Sequence, residues 1–267
     1  MAKILSARAK AVAAALLLAA APIGPVVAQN MMSGVDLTTP AFTKSELSRA
    51  EVEALIARRK PGEKLDLSDK SLNGLDLSKL DLAGASLRGA RINHADLSGA
   101  DLRGAVLDQA WAIDANFTAA NLADAHLFGA QLLRAKMNHA NLSNARTAGD
   151  FSGASLVGAD LSGADGSADM KNQSMGLMRA VLRSADLRGA NFSGANFSHA
   201  DLEFAQLNDA DFSGANLSHA DGAGADFRGA RLAGAKLDGI DIASARIDAA
   251  SAKDFSKATN FERALRQ

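Results

Sequence analysis

A large apolar residue returns every five positions from Leu67 to Ile247, and no other feature constrains the fold as strongly. Segments such as Ala95-Asp96-Leu97-Ser98-Gly99 and Ala100-Asp101-Leu102-Arg103-Gly104 repeat a small–polar–large–polar–Gly pattern. Of the 36 central slots, 32 hold Leu, Ile, Phe or Met, and the exceptions are Ala112, Thr147, Gly166 and Gly222. A period of five matches neither an α-helix, at about 3.6, nor a flat strand, at about two. The pattern demands tandem units that bury their apolar residues only by stacking on one another.

Outside the repeats, Met1 to Ala28 has the make-up of an export signal. Lys3, Arg8 and Lys10 precede the apolar run Ala11 to Ala21, and Val26-Val27-Ala28 offers small residues before a cut after Ala28. The run is shorter than the roughly 20 residues of a membrane-spanning helix, and no second long apolar run follows. The chain has no Cys, so disulfides and cysteine lipidation are excluded. These features predict an exported protein, periplasmic or secreted, with no membrane span. Removal of the three leader cations from 29 leaves 26 basic against 30 acidic residues, a net charge of −4. Nucleic-acid binding would need a basic stripe instead. Tyr is absent and Trp111 is the only Trp, so platforms for stacking bases are scarce.

Gln29 to Thr43 is polar and aperiodic and reads as a linker. Ser48-Arg49-Ala50-Glu51 matches a capping box, which predicts a helix over about 49–59 with Val52, Leu55 and Ile56 on its apolar face. So short a helix is not stable alone, and it is expected to cover the first coil of the repeats. The expected organisation is a leader over 1–28, linker and cap helix over 29–64, repeats over 65–250 and a C-terminal cap over 251–267.

Two positions before each large slot stands Ala, without exception from Ala85 to Ala145 and from Ala180 to Ala235. A methyl group there lets the walls of a narrow coil approach closely. Together with segments such as Ala195-Asn196-Phe197-Ser198-His199, this pattern resembles the pentapeptide-repeat family over about 180 residues. The resemblance implies an all-β fold, a right-handed quadrilateral parallel β-helix with four pentapeptides per coil. At twenty residues per coil, 67–247 makes nine coils, and at about 4.8 Å each the rod is about 43 Å long.

The period fails once. The step from Thr147 to Phe151 is four residues and that from Gly166 to Leu177 is eleven, so the pentapeptide phase is recovered at Leu177. A bulge over 167–176 in one continuous rod is the expectation, and a hinge between two stacks is the alternative. Its polar run includes Lys171, Asn172 and Gln173 and suits an exposed contact.

If positions one coil apart stack, one face reads Asp81, Asp101, Asn121, Asn141, Asp160, Val181, Asp201, Asp221 and Asp241. That column would form an acidic stripe, although Asp and Asn are also what the resemblance implies at this slot. A charged row is usually solvated surface. Read functionally, the stripe is an interaction surface, a weak binder of hard cations, or a mimic of a phosphate backbone. His199 and His219 are also one coil apart, but no third metal ligand accompanies them. There is no HExxH, nucleophile elbow or phosphate loop. The expected function is therefore a non-enzymatic, exported scaffold that needs no cofactor and binds a protein. The resemblance supplies an alternative, a DNA mimic that binds a type II topoisomerase, as cytoplasmic members do. Cation binding on the acidic face is a further one.

Overall fold

The computed structural model describes residues 36–60, 62–168 and 178–266, so the leader and most of the irregular segment lie outside the described residues. Asp36 to Gln267 forms one compact unit. Its wall is a ladder of single-residue parallel bridges: Asp66 pairs with Ser86, Ser71 with Arg91, Asp76 with Asp96 and Asp81 with Asp101, each 20 residues on. Four consecutive pentapeptides therefore complete one turn, and the coil has four faces. Each face is held to the next level by backbone bonds. Leu82 N–H donates to the Asp101 carbonyl at 2.8 Å, and Asp101 N–H donates to the Leu80 carbonyl at 3.0 Å. The corner between faces is a four-residue turn, closed by Ala85 N–H on the Leu82 carbonyl at 3.0 Å.

The five-residue phase follows from this geometry. The large residue and the Ala two before it point inward, and both sets are almost wholly excluded from solvent. Phe192, Phe212 and Leu232 occupy one column of the expected inward stack, and the first two rings stack with centroids 4.8 Å apart. The Gly exceptions are filled from their neighbours. A Cβ on Gly166 would meet Phe197 Cε1 at 2.6 Å, and one on Gly222 would meet Phe227 Cε2 at 3.2 Å.

The N-terminal cap is larger than expected. The described part of the supposed linker, 36–43, does not dangle. It carries α1 (Pro40–Thr43), and Phe42 packs on Trp111 with ring centroids 5.1 Å apart. Buried Asn73 donates from Nδ2 to the Ala41 carbonyl at 3.1 Å, tying this strap to the coil. Ser45 then pairs antiparallel with Leu72. Helix α2 (Arg49–Arg58) follows with the expected capping box between Ser48 and Glu51. Val52 is fully buried and Ile56 packs against the core, but Leu55 is exposed, which corrects its inclusion in the apolar face. Arg59 clamps the cap to the wall, donating to the Ala83 carbonyl and to Asp81 Oδ2.

At the other end, strand β1 (Arg246–Ile247) pairs in parallel with β2 (Leu265–Arg266). Between them a 3₁₀ segment, Ala249–Phe255, inserts the fully buried Phe255 against Phe227, centroids 5.6 Å apart. No helix among the described residues is long and apolar enough to cross a membrane.

The irregularity has a different form from the expected one. Asp150 pairs with Val181, Ser155 with Asp186, Asp160 with Asn191 and Asp165 with Asn196. The ladder is thus continuous, and one rod replaces the two-stack alternative. Ala180 N–H donates to the Gly166 carbonyl at 2.9 Å and closes the neck of the excursion, as Ala85 does at an ordinary corner. The described wall thus resumes at Ala180, past the end of the expected 167–176 bulge. Leu177, expected as the first slot after the bulge, lies outside the described residues, and Leu182 fills the face that follows Gly166.

Candidate interaction surfaces

The bridge from Asp160 reaches Asn191, ten residues past the Val181 expected there, so every later residue lies two faces from its expected position. Asp81, Asp101 and Asp160 share a face with Asn121 and Asn141, but the column then continues as Asn191, Asp211 and Arg231. Asp201, Asp221 and Asp241 stand on the opposite face, above Ser71, Arg91, Trp111, Gln131, Asp150 and Val181. The single acidic stripe is therefore two short acidic runs. The five-residue phase survives any whole number of repeats, whereas the face depends on how many of them stay in the wall.

Each of these six aspartates also caps its own corner. Asp81, Asp101, Asp160, Asp201, Asp221 and Asp241 accept through Oδ1 from the backbone N–H two residues later, at 2.9–3.2 Å. This Asx turn satisfies a donor that the bend would otherwise leave open, and either Asp or Asn can do it. Between levels, Asn supplies a further bond, as from Asn191 Nδ2 to Asp160 Oδ1 at 3.0 Å. Most of the acidity at this slot is accounted for by turn formation.

Arginines offset much of the remainder. Arg103 clasps Asp101, Nε to Oδ1 at 2.9 Å and Nη2 to Oδ2 at 2.6 Å, and holds its carboxyl below the ordinary range. Arg228 does the same to Asp226, whose pKa is pushed down to about 2 chiefly by that hydrogen bond.

Asp201, Glu203 and Asp221 bring carboxylate oxygens within 4.8 Å of one another, the arrangement a hard cation would need. However, Arg183 donates to Asp201 Oδ2 at 2.9 Å and pairs with Glu203, and Arg179 lies 3.6 Å from Asp201. Two guanidinium groups thus already balance most of the three carboxylates. His199 and His219 do stack, with centroids 5.1 Å apart and planes 19° from parallel. Burial, then the charges of His219 and Arg179, depress the His199 pKa. Lys171, Asn172 and Gln173 lie outside the described residues.

Sequence reasoning passed over Phe204. It stands in a corner slot that elsewhere takes Gly or mostly polar residues, has φ of 60°, and is 56% exposed. An aromatic in a slot of that composition was the available signal.

A four-sided parallel coil with a filled interior and columns of outward side chains defines a β-helical repeat solenoid. The chain belongs to the pentapeptide-repeat family: the family profile "Pentapeptide repeats" matches in eight copies over residues 67–109, 113–146, 150–167, 177–214 and 205–242. No curated protein matches the sequence significantly. Among solved structures, the chain is similar to HetL of the cyanobacterium Nostoc sp. strain PCC 7120, described as a pentapeptide repeat protein involved in heterocyst differentiation regulation. The identity is 26% over 75% of this chain and 97% of that one, with a TM-score of 0.33. It is also similar to trypsin-treated QnrB1, a plasmid-mediated fluoroquinolone resistance protein, at 20% identity over 72% of this chain and 85% of that one, TM-score 0.30. A pentapeptide repeat protein from the Arabidopsis thaliana thylakoid lumen shares 24% identity over 53% of this chain and 68% of its own, TM-score 0.16.

Proposed function

We propose that the protein is exported and acts without catalysis, as a rigid scaffold whose outer side chains meet a protein partner. The filled interior carries this reading. Inward Leu, Phe, Ile and Ala side chains close the coil along its length, so a ligand must meet the outside of the rod. The described polar side chains there form corner caps and ion pairs. The composition of Met1 to Ala28 supports export. The division of the acidic residues between two faces, with Arg103 and Arg183 among them, favours a scaffold over a phosphate-backbone mimic.

The test has two arms. N-terminal sequencing of protein from the extracytoplasmic fraction is expected to begin at Gln29, and an intact Met1 in a cytosolic fraction would overturn export. Affinity capture from the exported fraction is expected to yield a partner that binds the purified rod. Inhibition of supercoiling by a type II topoisomerase at stoichiometric rod would instead establish the mimic.

A further inference from the structure

Near the C-terminal end, the face that carries Asp186, Gln206, Asp226 and Arg246 opens on a groove of about 760 Å³. Its apolar borders are Phe204, on the corner leading into that face, and Leu265, which β2 places beside β1. The exposed large hydrophobic residues among those described are Leu55, Phe204 and Leu265, so two of the three border one groove.

Phe204 is unfavourable for the free rod on two counts. A bulky side chain at positive φ is strained, and its exposed ring forgoes the burial that seven other phenylalanines achieve. The ring lies over the next corner, Gly224, where an added Cβ would stand 2.4 Å from Phe204 Cδ1. Glycine there lets the ring lie close against the corner and face the groove.

Arginines supply the polar half of the groove. Arg188 binds Asp186 at 2.7 Å, Arg228 binds Asp226 at 2.5 Å, and Arg246 approaches Asp226 only to 3.7 Å. The charge of Asp248 also acts on Arg228, and the Arg188 and Arg246 side chains are about half exposed. The groove therefore presents two half-exposed guanidinium groups between two apolar borders, on a chain whose net charge is −1.

We propose that this groove binds an extended peptide segment of a partner protein, one with an apolar side chain next to an Asp or Glu. Aromatic and Arg side chains are the groups that dominate protein interfaces, and a guanidinium takes a carboxylate in a planar, two-bond fork. From the Asp186 level to the Arg246 level is three coil steps, about 14 Å, the length of about four extended residues. Nucleic acid fits less well, because Asp186 and Asp226 would face its phosphates and three arginines make no continuous stripe. The proposal deepens the scaffold reading and rests on it.

The test is selection of a displayed random dodecapeptide library on the intact protein, followed by fluorescence anisotropy with the enriched peptides. Enriched peptides are expected to place an apolar residue within two positions of Asp or Glu. Phe204→Ser and Arg246→Gln should each weaken them about tenfold, and Leu55→Ser should not. Serine is tolerated at this kind of corner, since Ser184 and Ser244 hold φ of 56° and 58° there, so the Phe204 variant should keep its fold and its unfolding midpoint. Equal binding by the Phe204→Ser variant, enrichment of basic peptides, or no enrichment would each overturn the groove. If the captured partner still binds Phe204→Ser at full strength, the groove falls and the scaffold stands. If neither peptides nor a captured partner bind the rod, both fall.

Discussion

At the residue scale, the slot before each large residue has a geometric purpose. Asp160 accepts from Ser162 N–H at 3.0 Å and from Asn191 Nδ2 at 3.0 Å. Asp160→Asn keeps an acceptor at the corner and should change stability little, whereas Asp160→Ala should lower it by about 1 kcal/mol, measured by urea unfolding. Asp226 adds a pH dependence. Its folded pKa of about 2 lies below the ordinary aspartate value of 3.8, so its contribution is present above about pH 4 and lost as pH falls through about 2. The shift corresponds to about 2 kcal/mol. Asp226→Asn should flatten the stability profile between pH 4 and pH 2, and an unchanged slope would show that the Arg228 clasp is energetically idle. Gly222 tests the interior. Because Phe227 occupies the space a side chain would need, Gly222→Leu should destabilise by about 1–3 kcal/mol although it restores the repeat. Adding Phe227→Leu should recover part of that loss, and a purely additive double mutant would contradict the filling.

At the element scale, stability of the ends depends on docking. Helix α2 has 10 residues, too few to persist alone, and Val52 is its buried anchor. Val52→Ala should cost about 1–3 kcal/mol and Ser48→Ala, which removes one half of the capping box, about 1 kcal/mol. Hydrogen exchange should show the loss first in the N–H groups of Leu67 and Leu72, which the cap adjoins, with levels beyond Asp150 protected as before. Uniform loss of protection along the rod would mean that the cap and coil unfold as one unit.

At the scale of the whole molecule, the excursion is an insertion at one corner. With Ala180 bonded to Gly166 at its neck and bridges running from Asp150 to Val181 past it, the bridge ladder of the wall is continuous across it. Deleting Asp169 to Ser174 should leave a cooperative β-rich unfolding transition, followed by circular dichroism, with a midpoint close to that of the parent. Loss of cooperativity would show the segment to be structural. If the deletion also weakens the captured partner, the excursion belongs to the scaffold's contact surface. Unchanged partner binding would direct the search to the Asp201–Asp221–Asp241 run.

Much of this architecture was legible in the sequence because it rests on short-range repetition. The five-residue period determined which side chains point inward, the alanines determined a narrow coil, and Ser48 with Glu51 determined where the cap helix begins. Each of these depends on neighbours a few positions away. What only the tertiary structure decided depends on contacts between levels. Pentapeptide phase is blind to the face, so Asp160 came to lie beneath Asn191 and not Val181 because Gly166 and Ala180 close the excursion between them. Gly222 is an interior position because a ring from Phe227 reaches its space. Phe204 and Leu265 border one groove because the C-terminal strand returns to pair with Arg246 and Ile247. Local pattern specifies the unit, and the hydrogen-bonded stacking of distant units specifies which surfaces meet.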